Sequence, residues 1–526
     1  MPNDLDVDIT IKNYRCFSDE APARLAIRDG FTAFLGPNNA GKSALLRFLY
    51  EFRPLFGLCS GNNGQLQAAL MDQRQGFALN GPSDSAEVFH NMNERDIVIE
   101  LVFPPTTTPT VRRQLDLTIE RSGPAFRAAF LFDGRRMGGT PGSVELDGTT
   151  LVAGGGRVSM EGIFAAMTSL ASTLLIGPFR NVVNIGGADN YFDIQVGETF
   201  VRAWRLFKNG PNKAQAAATY RLTQDIKELF GFRDLTIEAS SDDRTLQVFV
   251  DGKPYRLAEL GAGLAQFIIA LCNVMVQKRD LILIDEPELN LHPALQMDFL
   301  TTLAAQAKRG VLFSTHSIGL ADAMASRIYS LTKRGAHVEM KDFERTTDLA
   351  QLLGEMSYAT YSDLGYETLL MVEGPTDMPT VRAFLHKNGK SRKVALMHLG
   401  GSSTINENCA LQLAEVKRVG RNVKAVIDSE RPAAGANLEP ARRAFVGECR
   451  KQGIPLHVLD RRATEHYLTE RAIRVVKGSK YSALTEYEDR RAHTPMWSKD
   501  ENWRIAREMT WEEVKDTDLG KFLAGL

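Results

Sequence analysis

The sequence has no hydrophobic run long enough to cross a membrane. Its longest mostly apolar run, Phe267–Val276, is far shorter than the roughly 20 residues that a membrane-spanning helix needs. Near the N-terminus, Asp4, Asp6 and Asp8 stand where a signal peptide would carry a basic region and an apolar core. These absences predict a cytoplasmic protein without a membrane partner.

Cysteine is scarce as well. The five cysteines are scattered at positions 16, 59, 272, 409 and 449, and no two of them form a CxxC pair. This spacing argues against a structural zinc site and favours a reducing compartment. The whole chain has 526 residues, of which 44% are hydrophobic and 24% are charged. Such a composition is typical of a globular protein with two or more domains.

The net charge is −1, but it is unevenly distributed. Residues 366–526 hold 27 Lys and Arg against 22 Asp and Glu, and within Arg442–Lys480 the numbers are 10 and 4. This asymmetry favours contact of the C-terminal part with an anionic polymer such as DNA, whose backbone the basic segment would follow. The alternative interpretation is a solvated charged surface.

A phosphate-binding motif follows the short apolar strand predicted over Phe31–Leu35. It is formed by Gly36-Pro37-Asn38-Asn39-Ala40-Gly41-Lys42-Ser43 and precedes a helix predicted over Ala44–Tyr50. The pattern G-x-x-x-x-G-K-S between a strand and a helix is a P-loop, whose backbone amides cradle the phosphates of ATP. We expect Gly36, Asn38, Asn39 and Gly41 to form this cradle, Lys42 to contact the β- and γ-phosphates, and Ser43 to ligate Mg²⁺.

An acidic motif follows a second predicted strand. The wholly apolar run Leu281–Ile284 suits a buried parallel strand and ends in Asp285-Glu286-Pro287-Glu288. We expect Asp285 to hold the Mg²⁺ shell and Glu286 to polarise the attacking water. His316 follows the next predicted strand, Val311–Phe313, and is expected to sense the γ-phosphate. A lone histidine at a strand end is ordinarily structural, but its position after the acidic strand favours the nucleotide role.

This order of motifs resembles the ATP-binding-cassette ATPases of the SMC-like kind, and Ile9–Phe17 resembles their opening strand. The resemblance implies that nucleotide is held between two heads, each of which supplies a signature loop to its partner. The implied loop is Leu257–Gln266, with Gly261 and Gly263 as phosphate contacts. It lacks the serine that commonly contacts the γ-phosphate, so the resemblance leaves open whether ATP is hydrolysed or only held.

The interval between the two ATPase motifs shows no sustained heptads, unlike the coiled coil of SMC proteins. Gly-, Thr- and Pro-rich stretches, together with strand-like segments at Asp96–Phe103 and Phe126–Phe132, predict a β-rich and partly helical insert over roughly residues 52–250. An amphipathic helical piece at about 200–230 fits a dimer contact and core packing equally well.

From Glu367 onward, strands and helices alternate, which predicts a small parallel α/β domain with a helical C-terminal extension. The predicted elements are the strands Leu369–Val372, Lys393–Leu399 and Val423–Ile427 and the helices Asp377–Leu385 and Asn406–Val419. Glu373 and Asp377 follow the first strand, and Asp428 and Glu430 follow the third. Carboxylates at the carboxyl ends of neighbouring parallel strands predict a Mg²⁺ or Mn²⁺ site for phosphodiester chemistry.

The spacing of these carboxylates resembles the Toprim domain of topoisomerases, primases and certain nucleases. The resemblance implies that Glu373 serves as an acid/base or a ligand, and that Asp377 and the pair Asp428 and Glu430 bind metal. Glu430 stands where the family more commonly has aspartate.

An ATPase over residues 1–365 followed by a Toprim domain over residues 366–526 resembles the OLD (overcoming lysogenisation defect) nucleases. Arg461–Leu468 resembles a family element whose glutamate, here Glu465, is a further metal ligand. Trp497–Asp500 resembles a late segment whose lysine, here Lys499, would stabilise charge on the scissile phosphate. Lys477 and Lys480 compete for that role.

The resemblance implies an ATP-regulated, metal-dependent DNA endonuclease that acts as a homodimer or a higher oligomer. It also implies a role in antiviral defence, in some systems beside a helicase or a reverse transcriptase with its small DNA. The main alternative is an ATP-gated DNA clamp or sensor with a degenerate, non-cleaving Toprim domain. A topoisomerase or a primase is a third possibility, but topoisomerases need a tyrosine nucleophile in a separate DNA-binding module, for which residues beyond 470 leave no room.

Overall fold

The computed structural model describes residues 5–104, 112–138, 143–153, 156–178, 190–291, 293–334, 337–343, 367–391, 393–399, 413 and 422–526. The chain forms two compact units. The first unit contains residues 1–292, 298–316 and 327–343, and the second contains residues 293–297, 317–326 and 344–526. The domain boundary predicted at 365–366 lies outside the described residues. Strands and helices are numbered below along the chain.

A six-stranded sheet carries the P-loop in the first unit. In sheet order its strands are β12 (Thr173–Ile176), β18 (Leu281–Asp285), β19 (Gly310–Thr315), β3 (Gly30–Leu35), β20 (Arg327–Arg334) and β21 (His337–Asp342). The first five are parallel and β21 is antiparallel to β20. Every residue of β3, β18 and β19 is buried, as expected for parallel strands covered on both faces. The strands predicted before the P-loop, the acidic motif and His316 are therefore confirmed.

A second sheet in the first unit is antiparallel and half-solvated. Its strands are β2 (Ala23–Arg28), β1 (Asp6–Lys12), β5 (Ile97–Phe103), β6 (Arg113–Ile119), β7 (Ala125–Phe132) and β4 (Gln75–Gly76), with β8 (Arg135–Met137) beside β7. β5 and β6 alternate buried and half-buried residues, which is the period-2 pattern of a sheet with one face on the core. β1 ends at Lys12, so the opening strand predicted over Ile9–Phe17 is too long at its C-terminal end. The strand stops there because Asn13 and Arg15 have positive φ angles, which an extended strand does not allow.

The insert predicted over roughly residues 52–250 contributes a strand to the P-loop sheet. Thr173–Ile176 lies within its bounds, yet this strand is fully buried and pairs with β18 in the P-loop sheet. The remaining strands are β9 (Val144–Asp147), β10 (Thr150–Ala153), β11 (Gly156–Ser159), β13 (Asn190–Tyr191), β14 (Ile194–Gln195), β15 (Leu235–Ala239), β16 (Leu246–Val250) and β17 (Lys253–Arg256). They form three small antiparallel sheets.

The first unit also contains helices that cover these sheets. They are α1 (Lys42–Glu51), α2 (Arg53–Leu58), α3 (Gly64–Leu70), α4 (Glu161–Ala171), α5 (Gly197–Asn209), α6 (Lys213–Phe230), α7 (Ala262–Gln277) and, from its second turn, α8 (Pro293–Gln306). The helical piece predicted at 200–230 is thus two helices, separated at Gly210. Phe200, Val201 and Trp204 of α5 are buried, which supports core packing for that face. Leu206 and Tyr220 are exposed, and the predicted dimer contact stays a prediction.

The second unit is built on a four-stranded, wholly parallel sheet. In sheet order its strands are β23 (Val394–His398), β22 (Thr368–Val372), β24 (Val423–Ile427) and β25 (Leu456–Val458). The parallel α/β prediction is confirmed, and β25 is an additional strand. Because the chain moves from β22 to β23 on one side and from β24 to β25 on the other, the strand order reverses between β22 and β24. Open α/β sheets place their ligand sites at such a reversal, beyond the carboxyl ends of the strands.

The helices of the second unit are α9 (Ile318–Met324), α10 (Asp377–Lys387), α11 (Pro440–Lys451), α12 (Glu470–Lys477), α13 (Asn502–Glu508) and α14 (Asp518–Ala524). The last three form the predicted helical extension. The helix predicted at 406–419 lies outside the described residues, apart from Leu413. No helix in the described ranges is both long and apolar enough to cross a membrane.

Candidate functional site

The P-loop of the first unit connects β3 to α1. Gly41 has a φ of 90°, in the left-handed region that favours glycine, and a Cβ there would lie 2.7 Å from the Sγ atom of Cys16. It precedes α1, whose first turn holds no acidic residue and has no side-chain cap, so its amides remain available to phosphate. Asn38 and Asn39 are exposed, and Ser43 is half-buried in the first turn of α1. This geometry suits the predicted phosphate cradle.

Lys42 is buried and turned onto its own loop. Its Nζ atom donates hydrogen bonds to the carbonyl oxygens of Gly36 (2.8 Å) and Pro37 (3.0 Å). Burial lowers the pKa of Lys42, while three nearby carboxylates, led by Glu286, act to raise it. The ammonium therefore lies in a negative field where the phosphates of a nucleotide would bind.

His316 connects the P-loop to the acidic motif. Its Nε2 atom lies 3.2 Å from the Nζ atom of Lys42 and 3.1 Å from Oε1 of Glu286. Its backbone N–H donates to Oε1 of Glu288 at 2.9 Å. Asp285 is buried at the end of β18 and accepts a hydrogen bond from Ser314. The residues predicted from widely separated motifs thus converge on one edge of the P-loop sheet.

The predicted signature loop lies at the start of α7. Gly261 is exposed and has open space around the position of a Cβ. Gly263 is different, because a Cβ there would lie 2.8 Å from the carbonyl oxygen of Asn290, in the loop that follows β18. Close packing against that loop explains Gly263, whereas the exposed Gly261 is available to a phosphate.

In the second unit, carboxylates gather at the strand-order reversal. Glu373 follows β22, Asp377 begins α10, Asp428 follows β24, and Glu465 lies in a 3₁₀ turn at Thr464–Tyr467. We call these four residues the carboxylate cluster. Asp377, Asp428 and Glu465 are buried, and Glu373, Asp377 and Glu465 each contribute to raising the pKa of another member. The sequence therefore identified four side chains that the fold brings together.

Arg442 was not singled out by the sequence as part of the site. It is 5% exposed on α11, and it forms a bidentate ion pair with Glu373 in which both N–O distances are 2.7 Å. Its Nη1 atom also donates to the carbonyl oxygen of Asp428 at 2.7 Å. Arg442 thus joins the two strand ends that carry the carboxylates. Its only sequence signal was its place at the start of a basic segment, which pointed instead to DNA.

Lys499 lies within the carboxylate cluster. Its Nζ atom is 3.2 Å from Oε1 of Glu465. Burial lowers the pKa of Lys499, but the surrounding carboxylates, of which Glu465 contributes most, raise it above its usual value. The competing Lys477 pairs instead with Glu501 at 2.7 Å, and Lys480 is exposed. The tertiary structure therefore favours Lys499 among the three lysines.

Two members of the cluster have perturbed acidity. Burial raises the pKa of Asp377 to about 6, and Glu373 and Glu465 add to this while Lys499 opposes it. Burial likewise raises the pKa of Asp428, and the neighbouring Asp377 adds to the effect. Asp428 also accepts hydrogen bonds from the backbone N–H (3.0 Å) and the hydroxyl (3.1 Å) of Thr464. Burial and the neighbouring carboxylates thus favour the protonated form of these two side chains.

Glu430 stands apart from this cluster. It has a φ of 51° and accepts a hydrogen bond from the Nε atom of Arg462 at 3.2 Å. It is absent from the groups that raise the pKa of Asp377 or Asp428, although it contributes to raising that of Arg442. Its predicted role as a metal ligand stays a prediction that this geometry supports less well than that of Asp428.

The donor set fits a divalent cation in its chemistry. Carboxylate oxygens are the ligands that Mg²⁺ and Mn²⁺ prefer, and the Oε2 atom of Glu465 is buried with no hydrogen-bond partner among the residues that the structure describes. Within the described ranges, however, no three acidic, histidine or cysteine side chains are arranged to hold one ion. Lys499 and Arg442 instead pair with the carboxylates. The donor chemistry and the unpaired oxygen favour a metal site here, because side-chain rotations alone can alter how the carboxylates are arranged.

The basic segment 442–480 is less available to DNA than its charge indicated. Arg442 is buried, Arg462 pairs with Glu430, Arg471 with Glu513, and Lys477 with Glu501. Arg443, Arg450 and Lys480 are exposed. Pairing between neighbouring elements, which net charge along the sequence cannot show, explains the difference.

The C-terminal helix supports the turn that carries Glu465. Asp518, at the start of α14, accepts hydrogen bonds from the hydroxyl of Tyr467 (2.6 Å) and the backbone N–H of Asp460 (2.9 Å). Its Oδ2 atom also lies 2.9 Å from Nε2 of His457. Burial raises the pKa of Asp518, but these hydrogen bonds outweigh it and lower the pKa to about 2. No sequence pattern pointed to this support.

Two family models match separate stretches of the chain, both before residue 323. Residues 7–111 match the AAA ATPase domain, and this range contains the P-loop. Residues 202–322 match an AAA domain described as a putative AbiEii toxin of a type IV TA system, and this range contains Asp285, Glu286 and His316. Together with the geometry above, these matches show that the chain contains an AAA-family ATPase domain.

Among solved structures, the chain is similar to SMC heads. An SMC head bound to the C-terminal winged-helix domain of ScpA has 12% identity and a TM-score of 0.38, and the match covers 64% of this chain and 98% of that one. The SMC head domain from Thermotoga maritima has 13% identity and a TM-score of 0.33, with 64% and 98% covered. An Smc head from Pyrococcus furiosus with an extended coiled coil has 10% identity and a TM-score of 0.35, with 68% and 100% covered. No curated relative matches the sequence.

Proposed function

We propose that this protein is an ATP-regulated, divalent-metal-dependent DNA endonuclease of the kind found among the OLD nucleases. The observation that carries the proposal is the buried carboxylate cluster beside Lys499, at the strand-order reversal of a parallel sheet. Buried carboxylates that raise one another's pKa are costly to a fold, and such groups concentrate at functional sites. A Mg²⁺ or Mn²⁺ ion compensates their charge and matches their oxygens.

Asp377, Asp428 and Glu465 are the residues that would hold the metal, together with Glu373 once it is released from Arg442. When bound, divalent ions supply an activated water and stabilise charge on the attacking and leaving oxygens of a phosphodiester. Lys499, whose ammonium stays charged in this environment, would bind the non-bridging oxygens of the scissile phosphate. Arg442 fixes the orientation of Glu373 and ties it to the backbone of Asp428.

The ATPase unit would act as the switch. Lys42 and Ser43 would bind the phosphates and Mg²⁺, Asp285 would complete the Mg²⁺ shell, and Glu286 would orient water for hydrolysis. Dimerisation would bring the exposed Gly261 of one head to the nucleotide of the other. Because one matching family model is described as a putative AbiEii toxin, an antiviral defence role is the biological setting that we propose.

The experiment compares DNA cleavage by the purified wild type with that by Asp428→Asn and Asp377→Asn. Both substitutions keep the shape of the side chain and remove the charge. We expect the loss of Mn²⁺- or Mg²⁺-dependent cleavage of plasmid DNA and unchanged ATP binding. The matched control is Glu486→Gln, which removes an exposed carboxylate of the same unit and should cleave normally. Undiminished cutting by both cluster variants would exclude the assignment.

A second candidate is an ATP-gated DNA clamp or sensor that does not cleave. The specific observation in its favour is that Glu373 and Glu465 are paired with Arg442 and Lys499, while no three ligands are arranged for one metal ion within the described ranges. If this candidate is correct, the wild type binds DNA in an ATP-dependent manner and leaves it intact at any Mn²⁺ or Mg²⁺ concentration.

A further inference from the structure

The segments that follow the acidic motif and His316 belong to the second unit. Residues 317–326 come directly after His316, and residues 293–297 come shortly after Glu286 and Glu288. The peptide bond between His316 and Ser317 therefore passes from the ATPase unit into the unit that carries the carboxylate cluster. After Ser326 the chain returns to the P-loop sheet at β20.

α9 is the ordered element within this excursion. Its N-cap is Ser317, whose hydroxyl accepts a hydrogen bond from the backbone N–H of Leu320 at 3.1 Å. The helix packs on α10 and on β23 of the second unit. Leu320, Asp322 and Met324 are buried, so α9 is a packed helix rather than a surface loop.

A buried contact between an aspartate and a histidine joins α9 to β23. Asp322 pairs with His398, the last residue of β23, and the side chains are 8% and 7% exposed. β23 is hydrogen-bonded to β22, which the cluster residue Glu373 follows, and α10 begins with Asp377. α9 thus packs on a helix that carries one member of the carboxylate cluster and on a strand that neighbours a second member.

The nucleotide site supplies a reason for such a displacement. The ring of His316 lies beside both the Lys42 ammonium and the Glu286 carboxylate. A nucleotide phosphate competes for Lys42 and offers His316 a new hydrogen-bond acceptor. The contacts of His316 therefore differ between the empty and the occupied site, which is the condition for a ligand to shift a conformational equilibrium.

We propose that α9, held by the buried contact between Asp322 and His398, couples nucleotide occupancy at His316 to the arrangement of the carboxylate cluster. The proposal names the regulation of the site described under Proposed function and rests on that function for its biological output. The coupling itself is a property of the two units and is measurable whether or not the protein cleaves DNA.

The experiment measures amide hydrogen exchange of α10 with and without the slowly hydrolysed analogue ATPγS, in the full-length protein carrying Glu286→Gln. We expect the analogue to change the exchange rate of these amides by about 5-fold or more, which is a typical coupling. Asp322→Ala and His398→Ala, added singly to this parent, should reduce the change to less than about 2-fold. The matched control is Lys387→Ala, an exposed residue of α10, which should behave as the parent does.

Three outcomes overturn the proposal: no effect of the analogue on α10 in the parent, an equal effect in the Asp322→Ala variant, or an equal loss in the Lys387→Ala control. The affinity for ATPγS is measured in each variant, and exchange is compared at a saturating concentration of the analogue. A smaller exchange effect then cannot come from weaker binding of the analogue. DNA cleavage by the wild type is assayed separately. Its absence would exclude the proposed nuclease and leave the exchange result as the test of coupling.

Discussion

Arg442 and Glu373 form a buried bidentate ion pair, in which Nη1 to Oε2 and Nη2 to Oε1 are both 2.7 Å. The same guanidinium donates to the carbonyl oxygen of Asp428, so that a residue on α11 joins the ends of β22 and β24. Guanidinium and carboxylate match each other in geometry, which makes such pairs strong and directional. This pair sets the separation of the two strand ends at the candidate active site.

Arg442→Gln should destabilise the second unit. Removing one partner of a buried ion pair leaves the other charge uncompensated, which typically costs about 3–5 kcal/mol. Urea denaturation followed by tryptophan fluorescence measures the free energy of unfolding. Arg443→Gln, at the exposed neighbouring position of the same helix, is the control and should change stability by less than about 0.5 kcal/mol. Equal stability of the two variants would contradict the structural role of the pair.

Asp377→Asn should change how stability depends on pH. Burial raises the pKa of Asp377 to about 6, above its usual value of 3.8. As pH rises from about 4 to 6, the unfolded chain loses this proton before the folded one does, so the stability of the wild type falls across that window and stays lower above it. At about 1.4 kcal/mol per pKa unit, the penalty is on the order of 3 kcal/mol.

The variant lacks this titration, and its amide oxygen can still accept the hydrogen bond from the N–H of Gly374. In buffer with a chelator, Asp377→Asn should therefore be more stable than the wild type at pH 8 and similar to it at pH 4. Thermal unfolding at both pH values is the measurement. If the stability of the two proteins depended on pH in the same way, Asp377 would not be a group whose raised pKa lowers the stability of the wild type.

Lys499→Met should abolish cleavage and leave ATP hydrolysis intact. The ammonium lies in the carboxylate cluster, 3.2 Å from Glu465, where it can meet the scissile phosphate. Losing one such electrostatic contact typically lowers kcat about 100-fold or more. Lys480→Met removes an exposed lysine of the same unit and serves as the control. If both variants cut DNA equally well, Lys499 has no part in the chemistry.

Glu286→Gln should slow ATP hydrolysis about 100-fold or more, as expected for the loss of a general base, while nucleotide binding persists. Glu286 lies 3.1 Å from His316, which in turn lies beside Lys42, so the three side chains lie together beside the P-loop. Steady-state phosphate release and nucleotide affinity are the measurements. Glu228→Gln on the exposed side of α6 is the control, and a hydrolysis rate equal to that control would exclude Glu286 as the base.

The local motifs could be predicted from the sequence, because short-range patterns specify them. The P-loop needs one apolar strand, a glycine-containing turn and a helix start, all within Phe31–Tyr50, and β3 and α1 are found there. The carboxylates of Glu373 and Asp428 could be placed at strand ends because each follows a continuous apolar run. Parallel pairing then brings both to one edge of the sheet.

Other features depend on contacts between distant segments. Charge counts made Arg442 part of a DNA-binding segment, whereas its side chain is buried against Glu373, 69 positions away. Three lysines competed for one role, and the positions of Glu465 and Glu501 distinguish Lys499 from Lys477. β12 lay in a predicted insert, because its four residues, three of them apolar, do not show which sheet they join.

The sequence by itself thus determined an ATPase site and the types of residue at a candidate metal-phosphate site, since backbone conformation and strand burial are encoded over a few neighbouring residues. The tertiary structure decided which charges face one another, through the strand-order reversal between β22 and β24 and the ion pairs made by Arg442 and Lys499. It also decided that α9, next to His316 in the chain, is part of the second unit. Electrostatic interactions act through space, so their partners are fixed only when the chain has folded.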